Sequence, residues 1–547
     1  MPPVEPIVVN PSAPAIRDWT LRLGPRHCRI ILGLLLLAGF VGHYRYLTHD
    51  CPVDLSGDEA HYWDWSRQLD WSYYSKGPMV AWLIRLSCRF LGDNMPAVRL
   101  PALVLAVGTS LLTYWLTLKL FRSDRVALGA VLLNHLVPMF IAGSVIMTID
   151  PPFYFCWAAA TALAGKAIID NCRWPWLFVG PIVGLGFLAK YAMPLWLVGL
   201  LLFLATTPQA RHHLRCAAFW IGLLLIVPFL APVLIWNWQH GWVSFHHVAR
   251  QVGGDSGIGF FARNLLELIG GQLAAIGPLA IIMIASIVHA IRLPRNGNRE
   301  VIACRYLLFI GLPFLLLVAL DSLRVKIQVN WPAPAYFSLI ILSAWFLSTR
   351  LQTAAAWKPW RPWLLASVVV GIACIPIMHN TEVLYPLART LAPLLSSKPP
   401  NVKWDFSYRL RGWKQLGDRI SLELQRLSPD AIVICDDYQV TAQAAFYTRG
   451  QPRTFCLGAW PADPRRRSRL SQYDVWPDRR LDSSSLVGRD AVYVGNPPPP
   501  EFVAAFDSLE RLPDLDIMRR GIRVRTFQLW RGYSFKGMKW PDGQFKF

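Results

Sequence analysis

Residues 56–84 read SGDEAHYWDWSRQLDWSYYSKGPMVAWLI, and they lie between the first long apolar run of the chain and the second. An acidic pair, Asp58-Glu59, opens the stretch. Tyr62, Trp63, Trp65, Trp71, Tyr73 and Tyr74 follow, and Lys76-Gly77-Pro78 precedes an amphipathic segment. Charge set between apolar runs and surrounded by aromatic rings reads as a loop on a bilayer surface, where Trp and Tyr sit half in and half out of water. Gly77-Pro78 predicts a break, then a new helix with proline in its first turn, where the missing N–H costs nothing. Met79, Val80, Leu83, Leu86 and Phe90 would form the apolar face of that helix, with Arg85 and Arg89 on the other side. Asp58 and Lys76 are both expected at the membrane boundary.

The rest of the composition agrees. The chain has 547 residues, 54% of them hydrophobic, and a mean hydropathy of +0.33, which excludes an ordinary soluble enzyme. A formal charge of +21 might suggest a nucleic acid. Much of the excess, however, falls in short loops between apolar runs, where Lys and Arg set orientation and meet anionic lipid headgroups. Membrane lipids are therefore the expected partner, and nucleic acid is not. The ten cysteines form no CxxC pair, so a zinc ribbon or redox motif is unsupported. Cys51 with Cys88, and Cys435 with Cys456, are placed so that either pair could bridge, beside the simpler reading of free thiols.

A basic flank (Arg17, Arg22, Arg26, Arg29) precedes a first apolar run near residues 30–46 and puts the N-terminus in the cytoplasm. Further runs lie near 100–118, 127–147, 151–168, 174–189, 191–207, 216–236, 266–291, 303–320, 331–348 and 362–378, about eleven spans in all. Residues 174–207 form either two spans or one re-entrant unit. With an N-terminus inside, Lys119, Arg122 and Arg125, then Lys166 and Arg173, Arg211 and Arg215, and Arg350 and Arg361 fall on the inner side. The unusual polar groups, Asp58 with Lys76, Asp150, Lys190, His246-His247 with Arg250, and Lys326, all fall outside. After residue 380 the hydropathy collapses into a tail long enough for a domain of its own. Apolar residues at helical spacing over 412–427 and β-like runs at 431–435 and 491–494 predict a small α/β unit. The division expected is a transmembrane catalytic domain over 1–379 and an extracytoplasmic domain over 380–547.

One outer face carrying two carboxylates and several cations suggests chemistry on an anion. Asp58 could be a helix N-cap, and Asp150, in Thr148-Ile-Asp-Pro-Pro152, could cap a span. The catalytic reading gives the two carboxylates the roles of proton acceptor and of ligand for a metal or an acceptor group. Lys76, Lys190, Arg250 and Lys326 come from four separate loops, and a phosphate at headgroup level is their natural shared partner. Snorkelling to lipid headgroups is the simpler account of each alone. Glu59 and His247 complete the candidate substrate-binding set, although the adjacent histidines match no zinc spacing.

The stretch 56–84 resembles the first outer loop of bacterial membrane glycosyltransferases of the protein O-mannosyltransferase and lipid A aminoarabinose transferase type, the glycosyltransferase family 39/83 type. MTIDPPFYFCW (147–157), GLGFLAKYAMPLWL (184–197), NWQHGWVSFHHVARQ (237–251) and RVKIQVNWPAPAY (324–336) look like further stretches of that family, in its order. The resemblance implies a GT-C fold: a polytopic α-helical membrane protein of about 11 spans, here with a small α/β domain at its C-terminus. It implies inverting transfer of a glycosyl group from a polyprenyl-phosphate sugar donor to a lipid, glycan or protein acceptor outside a bacterial inner membrane. Asp58 matches the family's first-loop catalytic aspartate, Lys76 its donor-phosphate lysine and Asp150 the acidic residue of its second outer loop. Arg250 and Lys326 look like further phosphate contacts, and Tyr62 and Tyr336 like pocket tyrosines. Ser75 stands where the aminoarabinose transferases carry a metal-binding glutamate, so whether a divalent metal takes part is left open. Two rivals remain, a transporter of a solute or lipid-linked intermediate and a non-catalytic membrane scaffold.

Overall fold

The computed structural model describes residues 23–49, 51–251, 262–294, 297–387, 390, 405 and 407–541. Arg17 and Arg22 of the basic flank lie outside them. Every expected apolar run is helical. Among the described residues six helices are long and apolar enough to cross a bilayer: Pro25–Thr48, Met95–Phe121, Asp150–Asp170, Ala217–Gln239, Arg299–Ser322 and Arg361–His379. Other runs are broken. The stretch expected as one span over 266–291 is two helices, Ala262–Ile276 and Leu279–Ile291, bent by 107°. Gly277 sits at the bend with φ +69°, a conformation costly to any residue with a Cβ, and Pro278 follows it. Trp176–Ala189 and Leu195–Thr206 are short apolar helices separated at Lys190 and Tyr191. Asp150–Asp170 packs between Met95–Phe121 and Trp176–Ala189, which brings the starts and ends of these helices to one end of the bundle.

Two expectations for the first loop are corrected. Its aromatics were placed at a bilayer interface, yet Tyr62, Trp63, Trp65, Tyr73 and Tyr74 are buried and only Trp71 is exposed. Tyr62, Trp63, Trp65 and Tyr73 belong to a protein core that also holds Ala442, Ala445, Phe446, Tyr473 and Trp476 of the tail, and Tyr74 packs with Trp236 and Val243. Helix Met79–Leu91 forms as predicted, but it buries Val80, Ala81, Ile84 and Cys88 and leaves Leu86 and Phe90 exposed. In a membrane protein an apolar side chain can face lipid as readily as core, so apolar spacing alone does not identify the packed face.

The tail is an α/β unit. Strands β1 (Ile432–Cys435), β2 (Thr454–Cys456), β3 (Ala491–Val494), β4 (Phe506–Arg511) and β7 (Leu529–Phe535) form a sheet in the order β2-β1-β3-β7-β4, while β5 (Leu515–Arg519) and β6 (Ile522–Phe527) pair separately. β1 is parallel to β2 and β3, and β7 is antiparallel to both of its neighbours. Helix Tyr438–Tyr447 joins β1 to β2, as a parallel pair requires, and amphipathic Trp413–Leu424 is the helix expected over 412–427. All ten cysteines are free.

The tail is bonded to the first loop at many points. Tyr447 Oη accepts from Leu55 N at 2.7 Å, Gln443 Nε2 donates to Leu55 O at 2.6 Å, and Asp54 accepts from Trp413 N at 2.9 Å. Tyr473 Oη donates to buried Asp64 at 2.8 Å, and Arg479 pairs with the same carboxylate at 3.3 Å. Such buried, mutually satisfied polar groups fix one relative placement of loop and tail.

Candidate active site

The loop's short helix, Gly57–Arg67, is set by a capping box. Ser56 Oγ accepts from Glu59 N at 3.1 Å, and Glu59 Oε2 accepts from Ser56 N at 2.8 Å. Ser56, and not Asp58, is therefore the cap. Glu59 is fully buried, holds Arg99 in a two-pronged pair at 2.9 Å through each oxygen, and accepts from Met147 N at 2.9 Å. With its acceptor capacity taken up inside the protein, Glu59 anchors the loop and does not line the cavity described next. Gly77 is required by close approach: a Cβ there would lie 2.1 Å from the Leu188 carbonyl oxygen. Its absence lets the Lys76 turn rest on the end of helix Trp176–Ala189 at Leu188, two residues before Lys190. The same turn is held by Tyr74 N donating to Gln472 Oε1 at 2.6 Å and by Ser244 Oγ donating to Tyr73 O at 2.8 Å.

A cavity of about 740 Å³ opens beneath the tail. Asp58, Tyr62, Lys76, Asp150, Lys190 and His247 line it, so six of the ten predicted site residues, from four separate segments, meet there. Glu59, Arg250, Lys326 and Tyr336 are not among its lining residues. Lys326 is 77% exposed and pairs with Glu267 at 2.7 Å, and Tyr336 Oη donates to Gln272 Oε1 at 2.6 Å. The stretch carrying Lys326 contributes Asn330 instead, whose Nδ2 donates to Asp150 Oδ2 at 2.5 Å, while Lys190 Nζ holds Asp150 Oδ1 at 2.9 Å. Asp150 is thus occupied on both oxygens and orients a cation and an amide. It does not act as a helix cap.

Asp58 is held differently. Its Oδ1 accepts two long contacts, from Gln439 Nε2 at 3.2 Å and Tyr438 Oη at 3.4 Å, and Oδ2 accepts none among the described residues. Arg469 Nη2 donates to Tyr438 Oη at 2.7 Å, and Arg469 Nη1 reaches His247 Nε2 at 3.4 Å. The Lys76 ammonium makes no hydrogen bond or ion pair among the described residues; burial, with help from neighbouring Lys190, pushes its pKa down to about 8. His247 is pushed down to about 3 by burial and by the charges of Lys76 and Arg469, and His61 also to about 3, by burial and Arg469. Both imidazoles are neutral over the physiological range. Tyr438, Gln439 and Arg469 all come from the tail and were missed by sequence reasoning. The basic run Arg465-Arg466-Arg467-Ser468-Arg469 was a faint signal, but nothing local distinguishes the residue that points inward.

The lower wall is apolar, with Phe314, Leu317 and Val318 from helix Arg299–Ser322, Leu195 and Trp331. Polar above and apolar below, the cavity suits an amphiphile. A second cavity of about 820 Å³ lies on the other side of Asp58, bounded by Ala142, Val145, Met378, Trp413, Asp437 and Arg525, and Asp58, Arg409 and Gln439 line both. Among the described residues no three His, Cys, Asp or Glu side chains are grouped to hold a metal ion.

Residues 75–236 match the family model described as dolichyl-phosphate-mannose-protein mannosyltransferase. Lipid A galacturonosyltransferase RgtD of Rhizobium johnstonii is 29% identical over 320 residues, a match covering 58% of this chain and 65%, just under two thirds, of that relative. The undecaprenyl phosphate-alpha-4-amino-4-deoxy-L-arabinose arabinosyl transferase of Pseudomonas aeruginosa is 24% identical over 435 residues, covering 66% of this chain and 75% of the relative. In three dimensions the chain superposes on ArnT from Cupriavidus metallidurans, solved bound to undecaprenyl phosphate. The TM-score is 0.61 at 14% identity, covering 97% of this chain and 100% of the other. At that identity the likeness establishes the fold.

Proposed function

We propose that this chain, a membrane protein of the GT-C glycosyltransferase fold, moves a hexosyl or pentosyl group from a polyprenyl-phosphate sugar to an acceptor, with inversion at the anomeric carbon. The observation that carries the reading is the position of Asp58, a carboxylate with an unoccupied oxygen on the partition between two cavities. One cavity has apolar lining from Phe314, Leu317 and Val318 and a lysine whose ammonium is unpaired among the described residues, suited to a prenyl chain ending in phosphate. The other offers an acceptor its own approach to the same carboxylate.

In the reaction the acceptor oxygen attacks the anomeric carbon from the face opposite the phosphate. The new carbon–oxygen bond forms as the bond to the phosphate oxygen breaks, and the electron pair leaves on the polyprenyl phosphate. Lys76 stabilises that leaving charge, and Asp58 accepts the proton of a hydroxyl acceptor. Asp150 orients Lys190 and Asn330 along the wall of the cavity, where they are placed to bind sugar hydroxyls. Lipid A appears in the name of one relative, and a lipid-borne acceptor is the class the reading favours for this chain, ahead of a glycan or protein. A transporter is not favoured, since the charges gather at one end of the bundle rather than at mid-membrane.

Mass spectrometry of envelope lipids and glycans from cells with and without the protein tests the reading, followed by transfer from an undecaprenyl-phosphate sugar by purified protein. Unchanged lipids and glycans, with no transfer in vitro, would overturn it. The positive charge of the loops supports an orientation with the N-terminus in the cytoplasm and the tail outside. Reporters fused after Asn298 and after Pro541 should give opposite readouts, and identical readouts would refute that orientation.

A further inference from the structure

We propose that Arg469, carried by the C-terminal domain, binds the donor's phosphate together with Lys76, so that the phosphate bridges the tail and the first loop. The proposal rests on the transferase reading above and assigns the tail a direct part in donor binding.

Three other arginines at the same seam are buried, and each faces a carboxylate: Arg99 faces Glu59, Arg411 faces Glu382, and Arg479 faces Asp64. Burying a guanidinium costs free energy that such partners offset. Arg469 is half-buried rather than buried; it lines the cavity and differs from these three. It has no carboxylate within ion-pair distance among the described residues, and its contacts are a phenol oxygen at 2.7 Å, an imidazole nitrogen at 3.4 Å and the Tyr438 ring at 4.9 Å. Lys76, from the first loop, lines the same cavity, and its ammonium likewise has no carboxylate within ion-pair distance among the described residues. The two cations act on the same imidazole, His247, so they converge on one region of the cavity.

That region is also short of acceptors. Arg469 donates to His247 Nε2, which fixes the imidazole proton on Nδ1, and this nitrogen is buried without a partner among the described residues. Tyr74 Oη is likewise buried and unpartnered, with its ring 5.1 Å from that of His247. Asp58 and Asp150 line the same cavity and act on these charges from a distance, but among the described residues neither cation has a carboxylate within ion-pair distance, and the two cations with two spare donors form a site for an oxyanion of more than one negative charge. A terminal phosphate has that charge and enough acceptor oxygens to serve a guanidinium and an ammonium together. Because Lys76 belongs to the loop and Arg469 to the tail, donor binding draws the two together.

The alternative role for Arg469 is structural: holding Tyr438 against Asp58. Full-length protein in lipid nanodiscs, with undecaprenyl phosphate as the probe, separates the two. Arg469→Met should bind the probe about ten- to a hundredfold more weakly than wild type, and Arg469→Lys should recover part of the loss. Undecaprenyl phosphate, but not uncharged undecaprenol, should slow phenylglyoxal modification of Arg469 in the wild-type protein, read by peptide mass spectrometry, a measurement that no folding defect can mimic. Failure of undecaprenyl phosphate to protect Arg469, or wild-type affinity in Arg469→Met where Lys76→Met loses it, would overturn the proposal and leave the transferase reading standing. No binding of the probe by wild type would overturn both.

Discussion

Asp58→Asn is the perturbation on which the mechanism depends most. The structure makes it a clean one. Among the described residues Asp58 is neither the cap of its helix nor part of an ion pair, and its carboxylate accepts hydrogen bonds only from Gln439 at 3.2 Å and Tyr438 at 3.4 Å, both to Oδ1. An asparagine of the same size keeps an oxygen for those donors, and the Ser56–Glu59 capping box is untouched, so folding stability should change by less than about 1 kcal/mol. Loss of the proton acceptor should lower the transfer rate about a hundred- to ten-thousandfold, equivalent to roughly 2.7 to 5.4 kcal/mol of barrier. Affinity for undecaprenyl phosphate should stay near wild type, because the phosphate is held by cations. Transfer rate, probe affinity and thermal midpoint measured on one purified preparation test all three statements. A rate within a few-fold of wild type would refute the general-base role, and a large loss of stability would refute the account of Asp58 as structurally uncommitted.

Glu59→Gln should behave in the opposite way: glutamine can still serve the capping box, but Arg99 is left buried without its counter-charge, and stability should fall by about 3 to 5 kcal/mol, read as a lower midpoint of thermal or denaturant unfolding. Lys76 predicts a pH dependence. Its pKa of about 8 in the free protein means that its charge is lost as pH rises through 8, so affinity for undecaprenyl phosphate should fall about tenfold per pH unit above that point; Lys76→Arg should abolish the fall. The unfolded chain binds the proton more tightly, so the contribution of the same group to folding stability changes in the other direction, improving between pH 8 and the ordinary lysine value. Lys326→Ala should leave transfer within about twofold of wild type, since the exposed Lys326 pairs, among the described residues, with Glu267 alone; a loss of tenfold or more in a steady-state assay would show that Lys326 reaches the donor.

The sequence by itself determined the membrane class, the helical runs, the small α/β tail and the segments that meet at the site. Hydrophobic periodicity and run length are local properties that the chain carries wherever it folds. Asp58, Lys76, Asp150 and Lys190 were legible because each is a charge beside an apolar run, which is costly unless it has a purpose. Tertiary structure alone decided which face of a segment turns inward. Glu59 neighbours Asp58 in the chain, yet it points into the protein toward Arg99, because consecutive residues on a helix project about 100° apart. Lys326 and Asn330 share one segment, and only Asn330 reaches the cavity. The tail's contribution was the least legible. Tyr438, Gln439 and Arg469 lie hundreds of residues from Asp58 and follow no spacing that links them to it; what unites them is a packed seam of aromatic rings, and such complementarity exists only once both surfaces have folded.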